Sequence, residues 1–302
     1  MASLPSKILN WGFRGYVRRF VRKNFNAVRV TGQEQLAELP SAPIVCFINH
    51  PGWWDPMTGV LMTDLLFPGR QFAAPMDAEA LKSYPILERL GFFAVERETA
   101  SGAKDFLRTS RDLLKNPLTI LWLTPAGKFH DIRQPAPFMN GLSHLVDSAF
   151  HGIALPMAIE YTFWNERSPE LLVRFGDPVD CANLPTDRDA RTLVFETALV
   201  TTQTALAELA IARDPASFTT LAMGRAGIGG LYDLWRRMIA GLRGQQFQDR
   251  HRGEPLKSGR ASRESSHDGH RYFSLRLVFA RSQRVRFCHV PRESAFLSQG
   301  CS

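Results

Sequence analysis

The chain lacks the usual marks of a disulfide framework, a metal site or a membrane span. Its four cysteines, Cys46, Cys181, Cys288 and Cys301, fall in no CxxC or zinc-type spacing. That excludes a disulfide scaffold and makes a reducing compartment the default. His130, Asp131, His144 and His151 show no familiar ligand spacing either, so no metal is expected. No run of about twenty apolar residues occurs, which argues against a spanning helix. Residues 1–25 also lack the continuous apolar core of a signal peptide. Gly127-Lys128 is not a phosphate loop, because Trp122 stands where the first glycine belongs and Phe129 follows the lysine.

Acidic residues are missing from one end. Residues 1–30 hold seven Lys or Arg and no acid, and residues 244–302 hold eleven against five acids. The whole chain carries +8, so the middle is net acidic and the basic character belongs to the ends. Basic ends suit an anionic surface. They carry no aromatic platform motif or recognised nucleic-acid fold, so nucleic acid is not an expected partner.

What the middle does have is a regular rhythm. Strands are predicted at 28–30, 44–48, 71–74, 92–95, 118–123, 153–161 and 171–175. Helices are predicted at 57–67, 78–90, 102–116, 138–150 and 189–212. Alternating strands and helices imply an α/β domain, a mostly parallel central sheet flanked by helices, over residues 26–215. Before it, residues 1–25 predict a basic amphipathic helix with Leu9, Phe13, Val17 and Phe20 at helical spacing. Aromatic and basic residues together suit an interfacial membrane helix; a helix packed on its own domain would show the same spacing. Residues 216–243 predict a second amphipathic segment with Leu231, Trp235 and Leu242 on one face. Residues 244–302 read as a basic, disordered tail.

Active sites of such sheets gather at strand C-terminal ends. The densest chemistry at such an end is Asn49-His50-Pro51-Gly52-Trp53-Trp54-Asp55-Pro56. The apolar run 43–48 before it predicts a buried strand, which Pro51 should end at His50. Asp55 before Pro56 suits an N-cap with proline at the first helical position. His50 and Asp55 then share a strand-to-helix turn that can fold the carboxylate back onto the imidazole. Such a pair fixes a histidine tautomer and stabilises its charged form, as a general base requires. Alone, the two residues would read first as a helix cap and a hydrogen-bonded turn residue.

They do not stand alone. Gly91-Phe92-Phe93-Ala94-Val95-Glu96-Arg97 follows, then Thr124-Pro125-Ala126-Gly127-Lys128-Phe129, then Ala154-Leu155-Pro156. In this order the blocks resemble the glycerolipid acyltransferase superfamily over residues 25–215. Asn49, His50 and Asp55 match its Asn-His-x-x-x-x-Asp block. Gly91 and Arg97 match the ends of Gly-x-x-Phe-x-x-Arg, and Leu155-Pro156 matches the strand entering a proline. Of Phe-Pro-Glu-Gly-Thr-Arg only Pro125 and Gly127 match, with Ala126 and Phe129 replacing the glutamate and arginine.

The resemblance implies a fatty acyl transfer from acyl-CoA or acyl carrier protein, as co-substrate, to a lysophospholipid-like or other lipid acceptor. It needs no cofactor and no metal. His50 would be the general base and Asp55 its partner. Gly91, Arg97, Gly127 and Lys128 would serve the substrate, the two cations holding an anionic headgroup. In the family the replaced glutamate and arginine help hold the phosphate side of the acceptor, so an altered acceptor is implied. The expected setting is the cytoplasmic face of an anionic membrane, as a peripheral protein. The contrasting expectation is a catalytically weak lipid-binding or scaffold protein retaining the fold.

Overall fold

The computed structural model describes residues 7–224, with side chains from Gly12 onward. The elements in chain order are α1 (Lys7–Asn24), β1 (Ala27–Thr31), β2 (Ile44–Ile48), α2 (Asp55–Leu66), β3 (Gln71–Asp77), α3 (Ala78–Ser83), β4 (Phe92–Val95), α4 (Ala100–Leu114), β5 (Thr119–Leu123), α5 (Gly141–Leu145), β6 (Ile153–Thr162), β7 (Glu170–Phe175), α6 (Arg188–Ala212) and β8 (Thr219–Met223).

β2 shows why the sheet forms. All five of its residues are buried. Ile44, Cys46 and Ile48 join the apolar cluster shared with α1 and α2, and Val45 and Phe47 join the one shared with α4, α5 and α6. A strand covered on both faces reads as a continuous apolar run rather than an alternating one. Phe47 packs edge-on against Phe195 of α6 at 5.6 Å. The eight strands lie in the order β4-β3-β5-β2-β6-β7-β1-β8. Five neighbouring pairs are parallel and two, β6–β7 and β1–β8, are antiparallel.

The departures from expectation have local causes. The helix expected at 78–90 stops at Ser83, because Tyr84 before Pro85 leaves the helical region (φ −134°, ψ 67°) and residues 85–90 continue as a 3-10 turn. The helix expected at 138–150 shrinks to α5. Val146 is extended after it, and Asp147 holds the next turn by accepting from Ala149 N–H at 3.0 Å. β8 was not expected from the sequence: its residues are half or fully exposed, and it is held by backbone pairing with β1. The sheet therefore runs to Met223, past the boundary expected at residue 215. Beyond Gly224 the amphipathic segment at 216–243 and the tail at 244–302 lie outside the described residues.

α1 packs on the domain. Val17 and Val21 are buried, Phe13 and Phe20 lie against the core, and Phe20 meets Trp54 at 5.1 Å. Arg14 and Arg18 both reach Asp64 of α2, at 3.3 and 2.7 Å. Arg19, Arg22 and Lys23 face outward.

Candidate active site

Where β2 ends, the Asn49 side chain continues its ladder. Its Oδ1 accepts from Ile159 N–H at 2.8 Å and its Nδ2 donates to Ile159 C=O at 2.9 Å. Asn49 is buried and replaces the backbone rung that β2 no longer supplies. The chain then turns through Pro51 and Gly52, and His50 Nδ1 meets Asp55 Oδ2 at 2.6 Å. A carboxylate only accepts, so this nitrogen carries the proton and Nε2 keeps its lone pair. The His50 side chain is 18% exposed and that of Asp55 is 1% exposed, so the imidazole reaches solvent while its partner does not.

Asp55 opens α2 but does not cap it. Trp54 is the cap residue and makes no side-chain cap bond. The expected capping role is therefore corrected: the carboxylate accepts from His50, from Gly52 N–H at 3.2 Å and from the Tyr161 hydroxyl at 2.7 Å. Thr58 Oγ1 lies 3.1 Å from the same phenol oxygen. Burial first, and then the charge of Asp55, push the Tyr161 hydroxyl well above its ordinary range, so it stays protonated as a donor.

The segment after β5 closes over His50. His130 N–H donates to the His50 carbonyl at 3.1 Å, and the Phe129 ring stands 4.4 Å from the imidazole. Gly127 has φ +67°, and a Cβ there would lie 2.5 Å from Met139 Sδ. The same position is 3.8 Å from Arg97 Nη2, so Arg97 reaches across from the end of β4. Arg97 is exposed and makes no hydrogen bond or ion pair among the described residues. Lys128, next in sequence to Gly127, is exposed, and Ala126 is buried.

Residues 27–160 match the family model described as Acyltransferase. This segment is similar to the acyltransferase family. Among solved structures, the chain is similar to the 1-acyl-sn-glycerophosphate (LPA) acyltransferase PlsC from Thermotoga maritima. The identity is 16%, the match covers 67% of this chain and 79% of that one, and the TM-score is 0.44. A search of curated proteins finds no match.

Within the acyltransferase segment, the site residues read from sequence separate into two groups. His50, Asp55, Arg97, Gly127 and Lys128 gather at the C-terminal ends of β2, β4 and β5. Gly91 does not join them. It precedes β4, at the far end of that strand from Arg97. Its φ is +105°, and a Cβ would stand 2.2 Å from the Phe72 carbonyl oxygen. Its role is conformational.

Sequence reasoning missed Tyr161 as a partner of Asp55 and Asn49 as a link between strands. The alternation along β6 could have placed Tyr161 on the Asp55 side of the sheet, but nothing local marks its hydroxyl as a partner. A groove of about 550 Å³ opens on the α6 side, beside the motif. Pro51, His130, Ile132, Glu160, Gln203 and Leu206 line it. Burial there raises the Glu160 carboxyl above its ordinary range. Among the described residues no cluster of His, Cys, Asp and Glu is arranged to hold a metal. No described helix is long and apolar enough to cross a membrane.

Proposed function

We propose that this acyltransferase moves a fatty acyl group from a thioester donor, acyl-CoA or acyl carrier protein, to a hydroxyl or amine of a lipid acceptor, with His50 as general base. The observation that carries this reading is the His50–Asp55 contact of 2.6 Å, with the carboxylate buried and the imidazole reaching solvent. In the reaction, Nε2 takes the acceptor proton as its oxygen or nitrogen attacks the thioester carbonyl. The tetrahedral intermediate collapses, the thiolate leaves, and the imidazolium returns the proton to it. Asp55 stabilises the imidazolium between these steps. Such a base contributes about 10²–10⁴-fold to rate.

Arg97 is the anion-binding group of the acceptor site, and Lys128 adds charge beside it. An unpaired guanidinium suits a phosphate or carboxylate headgroup. The acceptor differs from that of relatives with a glutamate and an arginine in the third block, because Ala126 and Phe129 can offer neither charge. The protein works at the cytoplasmic face of an anionic membrane, held by its basic surface.

The test is transfer of labelled acyl-CoA or acyl carrier protein by the purified full-length chain to a panel of lysolipids, aminolipids and glycolipids. Turnover with at least one acceptor, lost in a folded His50→Ala protein, is expected. Lipid binding without turnover across the panel would favour a catalytically weak lipid-binding protein and overturn the enzyme reading.

A further inference from the structure

Asp55 carries more hydrogen bonds than a histidine partner needs, and they divide unevenly between its oxygens. Oδ2 takes both bonds from its own turn, those of His50 Nδ1–H and Gly52 N–H. Oδ1 takes one, the Tyr161 hydroxyl from β6, at 2.7 Å. The carboxylate torsion is soft and roughly two-fold. Bonds to one oxygen from the same turn leave the plane of the group poorly held, and a donor on the other oxygen holds it.

We propose that Tyr161 is a positioning residue of the His50–Asp55 pair: its O–H, donated to Oδ1, orients the carboxylate so that Oδ2 faces the imidazole. The proposal rests on the reading of His50 as general base, though one of its tests does not. The phenol is itself held. Its ring packs 5.8 Å from Phe25, and Thr58 Oγ1 stands 3.1 Å from its oxygen, within donating distance. It projects from β6, and Asn49 ties that strand to β2 one residue before His50.

A plain core role for Tyr161 makes a different prediction. If only the ring matters, phenylalanine replaces it without loss. If the hydroxyl matters, Tyr161→Phe keeps the ring and bares Oδ1. The carboxylate then turns more freely and, with one donor fewer, attracts a charged imidazole more strongly. The first change lowers turnover. The second moves the acid limb of the pH–rate profile to higher pH, because the base stays protonated further up the scale. The titratable groups around His50 are Asp55 from α2, Tyr161 from β6 and His130 from the segment after β5. The substitution alters only the second.

The experiment uses the full-length chain and three readouts. Thermal unfolding establishes that Tyr161→Phe folds. Proton NMR follows the low-field Nδ1–H resonance of His50, assigned by its loss in His50→Ala; it needs no substrate. Steady-state kinetics give kcat and both KM values against pH. The proposal expects the resonance to move or broaden. It also expects kcat to fall about tenfold or more with both KM values unchanged, and the acid limb to rise. An unchanged resonance in folded Tyr161→Phe overturns the proposal, as does an unchanged kcat and pH profile.

If Tyr161→Phe fails to fold, Thr58→Val serves instead. It leaves the phenol in place but removes a hydroxyl that steadies it, so a smaller change in the same resonance is expected and no change overturns the proposal. Absence of transfer by the wild-type chain would count against the proposed function, and the resonance would still decide the role of Tyr161.

Discussion

Replacing Asp55 with asparagine removes a charge at nearly constant shape, and the structure determines how the amide would sit. Asp55 Oδ2 accepts from both His50 Nδ1–H and Gly52 N–H, whereas Oδ1 accepts only from Tyr161. With the amide nitrogen at the Oδ2 position, two donors would face a third. With it at Oδ1, only the Tyr161 hydroxyl must turn, and Thr58 Oγ1 at 3.1 Å can then accept from it. The second arrangement wins, and it keeps the proton on Nδ1. What is lost is the carboxylate charge opposite the imidazolium, worth at most about 4 kcal/mol at 4 Å and an effective dielectric of 20. Asp55→Asn is therefore expected to lower kcat by about 10²–10³-fold.

Its stability should fall by no more than about 1 kcal/mol, since each hydrogen bond finds a substitute. Asp55→Ala should instead leave the Gly52 N–H and the Tyr161 hydroxyl without their acceptor, costing about 1–3 kcal/mol for each buried group. The acid limb of the Asp55→Asn profile should move to lower pH, because the charged imidazole has lost its counter-charge. Labelled-acyl transfer against pH, with thermal unfolding alongside, tests the whole argument. A folded Asp55→Asn protein with turnover within about twofold of wild type would refute it.

Arg97→Ala is expected to raise the acceptor KM by about tenfold or more and to leave the thioester KM unchanged; the reverse pattern would exchange the two subsites. Burial raises the Glu160 carboxyl above its ordinary value of 4.5, so its neutral form favours the fold. That stability is fully present below pH 4.5 and is lost as pH rises through the raised value. Glu160→Gln should therefore match wild type in Tm near pH 4 and exceed it at neutral pH; equal Tm at both would remove Glu160 from the pH dependence. Replacing Arg19, Arg22 and Lys23 together with alanine should weaken sedimentation with anionic vesicles by about 3 kcal/mol at low salt with little change in Tm. Undiminished sedimentation would place membrane attachment elsewhere in the chain.

Much of the fold was legible because its strands are short apolar runs bounded by turn residues. β2 and β4 begin and end where the pattern places them, and β5 differs by one residue at its start. The errors occur where local chemistry overrides periodicity. Tyr84-Pro85 breaks a run that reads as one helix. β8 opens with exposed threonines and its apolar run, Leu221-Ala222-Met223, is too short to mark a strand, so its pairing with β1 could not be read. The pairing of His50 with Asp55 could be read because five residues and two prolines confine it to one turn. The Tyr161 bond joins residues 106 apart and could not.

The amphipathic pattern of α1 was visible, but what covers its apolar face was not. That face is taken by the domain, so deleting residues 1–25 would also uncover core surface at Trp54, and would not cleanly remove an anchor.

The side-chain rung at Asn49 has a geometric consequence. Two neighbours of that rung carry the reactive constellation: His50 is the next residue on one strand, and Tyr161 is two residues beyond Ile159 on the other. Displacements of β2 against β6 are thus shared by base and phenol alike, and their relative placement is insulated from sliding of the sheet beneath. Arg97 has no such common reference. It sits just past the end of the edge strand β4, three strands away, so breathing of the sheet changes the span between imidazole and guanidinium while leaving His50 and its partners in register. Under the proposed function, a site built this way admits headgroups of different size without disturbing the atoms that move the proton.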